Sequence, residues 1–198
     1  FPGHDVAIVD EDHRRLPDRQ IGEIIFRGPS VTEGYFGDEG ATRETWREGW
    51  LHTGDLGYLA EGELFVCGRK KDLIIVRGAN FFPHDIERSL QDLPELERGG
   101  AVAFSVSSNG DEKLVIVAEA DTKNTELFNA HVVERVYETA GLEVWRVVAV
   151  RRGTLPKTSS GKIQRRKTKE LFESGRLEEV VNVKEPREEN CLQQLTLQ

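Results

Sequence analysis

Short apolar runs separated by polar turns fill the first third of the chain, and longer runs with helical spacing follow. Asp5 to Val9 and Ile21 to Arg27 read as strands, the second closed by Gly28-Pro29. Glu39 to Trp46 predicts a short helix, Gly57 to Leu59 a short strand, and Leu64 to Cys67 another strand after a turn at Glu61-Gly62. This part is expected to be antiparallel β. Beyond residue 72 the period changes. Leu73 to Val76 is a buried-looking strand, and Pro83 suits the first position of a helix over His84 to Leu90, with Asp85 and Glu87 at its positive end. Ala101 to Val106 and Leu114 to Ala120 are strands joined by the hairpin-loop signal Ser107-Ser108-Asn109-Gly110-Asp111. Leu127, Phe128, His131, Val132, Arg135 and Val136 repeat near helical spacing and predict a helix over Thr125 to Thr139, stopped by Gly141. Val144 to Val150 is a strand, Arg151 to Lys162 a basic loop and Arg165 to Ser174 a basic helix.

These elements predict an α+β chain: an antiparallel β-rich segment over 1–69, then β-α-β-β-α-β-loop-α over 70–177, with a tail or linker over 178–198. The second part has the length of a small domain.

At 198 residues, 37% hydrophobic and 31% charged, the chain can bury a core and keep a solvated surface. No long apolar run exists and mean hydropathy is −0.49, so no membrane span is expected. Phe1-Pro2-Gly3-His4-Asp5 lacks the pattern of a secretory signal, and with Met 0 the sequence reads as a piece of a longer chain. Cys67 and Cys191 make no disulfide framework and no Cys/His cluster has zinc spacing, so a reducing, cytoplasmic setting and no metal site are expected. A net charge of −8 argues against nucleic acid as a bulk partner. The charge is uneven: residues 151–169 hold eight Lys/Arg and no acid, and no aromatic on which a base could stack.

Three stretches carry candidate chemistry. In Gly68-Arg69-Lys70-Lys71-Asp72-Leu73-Ile74-Ile75-Val76-Arg77-Gly78 a doubly basic segment lies between two apolar runs, and one reading is a β-hairpin with a charged tip. In Leu51-His52-Thr53-Gly54-Asp55-Leu56-Gly57 a carboxylate on a Gly-flanked turn can accept two hydrogen bonds from a vicinal diol such as ribose, or simply satisfy its own backbone. Leu155-Pro156-Lys157-Thr158-Ser159-Ser160-Gly161-Lys162-Ile163 lacks the glycine spacing of a P-loop. Lys162 there is either a solvated surface lysine or one mobile positive charge for a phosphate or carboxylate.

Taken together and in order, Thr53-Gly54-Asp55, Gly68-Arg69-Lys70-Lys71-Asp72, Arg77-Gly78 and Pro156 through Lys162 resemble the motifs of the adenylate-forming superfamily. That superfamily comprises acyl-CoA synthetases, luciferases and peptide-synthetase adenylation domains. Asp72 through Glu87 and Pro156 through Lys167 look like its fatty-acyl-AMP ligase branch. The resemblance covers residues 5–177 and implies the C-terminal part of such an enzyme: the last strands of a large AMP-binding domain, a hinge at 69–72, and a small mobile α+β domain.

Family members activate a carboxylic acid with ATP and Mg2+, giving an acyl-adenylate and pyrophosphate, then pass the acyl group to a thiol. The resemblance assigns Asp55 to the ribose hydroxyls, Arg69 to the ribose–phosphate region, Lys71 to the hinge, Gly78 to the pantetheine-facing loop, and Lys162 to the substrate carboxylate and α-phosphate during adenylation. The implied partners are a fatty acid, an acyl carrier protein or CoA, and the protein's own N-terminal domain. The phosphate-gripping loop, adenine pocket and acyl tunnel of the family lie upstream of the matched region, so this stretch alone is expected to be inactive and ATP and Mg2+ to be held mainly elsewhere. Ala79 and Phe81-Phe82 depart from the Arg and His-Tyr expected in this branch. An acyl-CoA synthetase of the same fold, or a catalytically silent adenylation-like interaction module, remains open.

Overall fold

A computed structural model describes residues 2–96, 99–108 and 110–180. They form two compact units, one comprising the chain up to Ile86 with Phe104–Lys113, the other Glu87–Ala103 with the chain from Leu114 onward.

In the first unit, β1 (Asp5–Val9), β2 (Gly22–Arg27), α1 (Glu39–Thr45), β3 (Trp46–Arg47), β4 (Trp50–Ala60) and β5 (Glu63–Arg69) follow in order. The sheet runs β1-β2-β4-β3 with β5 also on β4, and every pairing is antiparallel. Its buried face is built from Ala7, Val9 and Ile25, with Trp50 packed against them. The Asp38 side chain caps α1 by accepting from Ala41 N at 2.8 Å. The antiparallel expectation holds, but β4 is far longer than the short strand expected at Gly57 to Leu59. Thr53-Gly54-Asp55 reads as a turn, yet it lies inside that strand.

The basic segment after β5 does not close a hairpin. Lys70–Asp72 form one 3-10 turn, after which β6 (Ile74–Val76) pairs with β7 (Ala79–Phe81) in a separate two-stranded sheet, while β5 pairs with β4. The sheet therefore changes at the turn itself. α2 (Pro83–Ser89) follows, with Pro83 at its first position as expected.

β8 (Ala101–Ser108), β9 (Asp111–Glu119), α3 (Thr125–Ala140), β10 (Val144–Val150) and α4 (Arg165–Glu173) complete the described elements. The strand order is β10-β9-β8, with β9 and β10 parallel, so α3 is the crossover that a parallel pair requires. Asn124 caps α3 by accepting from Leu127 N at 3.1 Å, and Gly141 ends it in the left-handed conformation at φ 65°. Of the residues with helical spacing, Phe128, Val132 and Val136 are the buried stripe, and Leu114 to Ala118 of β9 are all buried as well. Leu127 is exposed. α4 sets Phe172 edge-on to Trp145 of β10, with the Arg146 guanidinium 5.5 Å from the same ring. Past α4 the chain returns to β10, where Val180 N donates to Ala149 O at 2.8 Å. The remainder of the expected tail, with Cys191, lies outside the described residues. Among the described residues no helix is long and apolar enough to cross a membrane.

Candidate active-site elements

Asp55 stands on a bulge. Along β2 the register advances from Glu23 to Ile25, while along β4 it moves from Leu56 to His52, so Thr53, Gly54 and Asp55 face Ile24 alone. Side chains replace the missing ladder bonds. Thr53 Oγ1 donates to Ile24 O at 2.7 Å and accepts from Asp55 N at 3.0 Å, and Gly54 N donates to Glu23 Oε1 at 3.2 Å. Gly54 has φ 70°, which a side chain there would strain.

Across β4 and β5, Asp55 is registered opposite Arg69, and Arg69 Nε lies 3.3 Å from Asp55 Oδ1. The Arg69 side chain is 73% exposed and that of Asp55 36%. An ion pair this wet contributes about 0–1 kcal/mol, so it does little for folding and leaves the carboxylate able to accept new hydrogen bonds.

Glu23, absent from the sequence reading, sits under the bulge. Besides Gly54 N, its carboxylate meets Lys70 Nζ and His52 Nδ1, each at 3.6 Å, and both Glu23 and His52 are nearly buried. Burial pushes the His52 pKa down, with His13 and Arg47 adding to the effect and Glu23 opposing it. A charged residue amid the apolar run of β2 is the sequence signal Glu23 gives.

Lys71, the expected hinge residue, is the exposed middle residue of the 3-10 turn. Six residues on, the two-residue loop between β6 and β7 is Arg77-Gly78, with φ 51° and 78°. Positive φ at both central positions is the signature of a type I′ hairpin turn, which fixes Gly78 at a tight, exposed tip.

Lys162 belongs to the second unit. Its turn is closed by backbone: Thr158 N donates to Lys162 O at 2.8 Å and Gly161 N to Thr158 O at 2.9 Å. Lys162 N donates to Thr158 Oγ1 at 3.1 Å, which leaves the exposed side chain out of the turn's own bonding. Two acids hold the flanks of this turn: Glu119, which the sequence reading does not single out, and Glu87, which it reads only as a helix-dipole residue. Upstream, the Glu119 carboxylate accepts from Gly153 N, Leu155 N and Lys157 Nζ. Downstream, Arg165 forks onto Glu87, with Nη2 at 2.8 and 2.9 Å from the two oxygens, and Glu87 Oε1 also accepts from Ala103 N.

The Glu87 and Arg165 side chains are 18% and 24% exposed, so removing one partner strands a largely desolvated charge. Glu87→Ala is expected to lower stability by about 2–3 kcal/mol, under the figure for a fully buried pair because some water remains. A thermal midpoint unchanged from wild type would contradict this.

The structure thus brings Asp55 and Arg69 together, places Lys71 and Gly78 on separate exposed turns, and sets Lys162 on a braced turn. Among the described residues no group of three or more His, Cys, Asp or Glu side chains could hold a metal ion.

The family model for the AMP domain of Disco-interacting protein 2-like proteins matches residues 71–182. The medium-chain-fatty-acid–[acyl-carrier-protein] ligase JamA of Moorena producens is 37% identical over 192 residues, covering 89% of this chain and 32% of that protein. Among solved structures, the fatty acyl-adenylate ligases from E. coli and L. pneumophila give a match of 36% identity and TM-score 0.77, covering 88% of this chain and 31% of the other. McyG A-PCP complexed with phenylalanyl-adenylate matches at 35% identity and TM-score 0.78, covering 88% and 32%. The chain therefore spans about a third of the length of the relatives it matches. On the match over more than half its length, and on the shared identity along nearly all of it, the chain belongs to the adenylate-forming, AMP-binding superfamily, with fatty-acyl-AMP ligases among its relatives.

Proposed function

We propose that this chain is the part of an ATP-dependent fatty-acyl-AMP ligase that carries the ribose-binding carboxylate, the hinge and the adenylation lysine. In the first half-reaction an oxygen of the fatty acid attacks the α-phosphorus of ATP, and the bond from that phosphorus to the pyrophosphate oxygen breaks. Lys162 supplies the positive charge between the two reacting anions. Asp55 accepts from the ribose hydroxyls, and Arg69 beside it carries positive charge toward the phosphate.

In the second half-reaction the small domain turns about Lys71, which brings the Gly78 tip to the reaction centre. A pantetheine thiolate then attacks the acyl carbon, and the bond to the AMP oxygen breaks with its electron pair leaving on AMP. Two states exchanged at one residue suit a turn where the chain passes from one sheet to another.

The observation that weighs most is the identity shared along 89% of the chain with a fatty acid–carrier-protein ligase. The test is the acyl acceptor of the full-length protein. With ATP and a fatty acid it should load a phosphopantetheinylated carrier faster than CoA. Preference for CoA would make it an acyl-CoA synthetase, and failure to exchange pyrophosphate with any fatty acid would make it a silent interaction module.

A further inference from the structure

The Glu119 carboxylate is the most deeply buried charged group among the described residues: its side chain is 1% exposed, at the end of the apolar strand β9. A buried carboxylate is costly unless paired and hydrogen-bonded, so its contacts show what holds it there. Oε1 accepts from Gly153 N at 2.9 Å and from Leu155 N at 3.0 Å, while Oε2 faces Lys157 Nζ at 3.3 Å. All three donors lie on the segment that leads from β10 into the Lys162 turn. The same strand end fixes the other limb. Glu119 N donates to Gly100 O at 2.8 Å, and a Cβ on Gly100 would lie 2.6 Å from Ile163 Cδ1, so Ile163, next to Lys162, packs directly on Gly100. Gln164 closes the loop on itself, its N donating to Pro156 O and its Nε2 to Lys157 O.

We propose that Glu119 is a positioning residue for adenylation: by binding Gly153, Leu155 and Lys157 at once, it fixes the base of the Lys162 turn and so the direction in which the Lys162 ammonium is presented. This rests on the adenylation role of Lys162 proposed above. Glu119 touches no substrate. Its charge matters as well as its oxygens, because Lys157 remains next to it. Glu119→Gln can still accept from the two backbone amides, but its NH2 group then meets the Lys157 ammonium, donor against donor, and that side of the turn is released.

The test uses full-length protein and measures the two half-reactions separately. For Glu119→Gln, kcat for adenylation should fall about 10- to 100-fold, the penalty of misplacing a catalytic group by an ångström. KM for ATP and fatty acid should stay within about twofold, as should thioester formation from supplied acyl-adenylate. Lys157→Gln should show the same split with a smaller loss. A purely structural role would instead lower both half-reactions together with the folded fraction. Equal loss in both, or no loss in either, overturns the proposal. Should Glu119→Gln fail to fold, Lys157→Gln decides in the same way. Lys162→Ala, run alongside, separates the two claims. If it leaves adenylation intact, the role of Lys162 falls. If it abolishes adenylation while Glu119→Gln does not slow it, only the positioning role falls.

Discussion

In the full-length protein, Lys162→Ala is expected to lower acyl-adenylate formation by about 10²–10³-fold, the usual cost of removing one preorganised group that stabilises developing charge. Thioester formation from supplied acyl-adenylate should proceed at close to the wild-type rate. The structure makes the substitution clean. The bonds that close the turn run through the backbone N and O of Lys162, both kept in alanine, and the lost side chain is exposed. Stability should therefore change by no more than about 0.5 kcal/mol, which separates a loss of chemistry from a loss of fold. Lys162→Arg should recover only part of the rate, since a planar guanidinium does not replace a compact ammonium between two anions. Pyrophosphate exchange measures the first step and thiol loading the second. Equal loss in both would remove the assignment.

Lys71→Pro is expected to separate the half-reactions in another way. A residue in a 3-10 turn has φ near −50 to −70°, inside the range that the proline ring enforces, so the conformation seen here survives the substitution with modest strain at Lys70. Rotation about φ of residue 71 does not survive. One half-reaction should retain roughly its wild-type rate and the other should fall by about 10²-fold or more, as expected when catalytic groups are held out of place. Unchanged rates for both would place the pivot elsewhere. The tie between Lys70 and Glu23 favours a pivot at Lys71, because it anchors the residue just before it to the bulge that carries Asp55.

Local signals made much of the second unit legible. α3 carries its own start and stop in Asn124 and Gly141 and an apolar stripe at helical spacing, and it lies where those signals put it. β1, β2 and β10 follow their apolar runs closely. The errors arise where tertiary pairing overrides local pattern. Thr53 to Asp55 has the composition of a turn, but β2 and β5 hold it within β4 as a bulge. Ala79 to Phe81 gives little strand signal, and it forms β7 only because Arg77-Gly78 turns the chain back onto β6. The polar residues 69–72 suggest a hairpin tip, whereas the strands on either side join different sheets.

The candidate site residues Asp55, Arg69, Lys71, Gly78 and Lys162 come from resemblance, and the structure supplies the local geometry around each. Glu23, Glu87 and Glu119 could not be found that way. Each is an acid whose importance lies in donors distant in sequence: Glu119 binds residues more than thirty positions away, and Glu87 binds Arg165 across 78 positions. Neither spacing nor hydropathy records such pairs.

The most direct measurement is a crystal structure of the full-length protein with a non-hydrolysable acyl-adenylate analogue, in the state that forms the adenylate. Lys162 Nζ should lie within about 2.7–3.2 Å of an oxygen of the acyl carbonyl or the α-phosphate, with the ribose hydroxyls donating to Asp55. A Lys162 ammonium left in solvent, with a different cation filling that position, would contradict it.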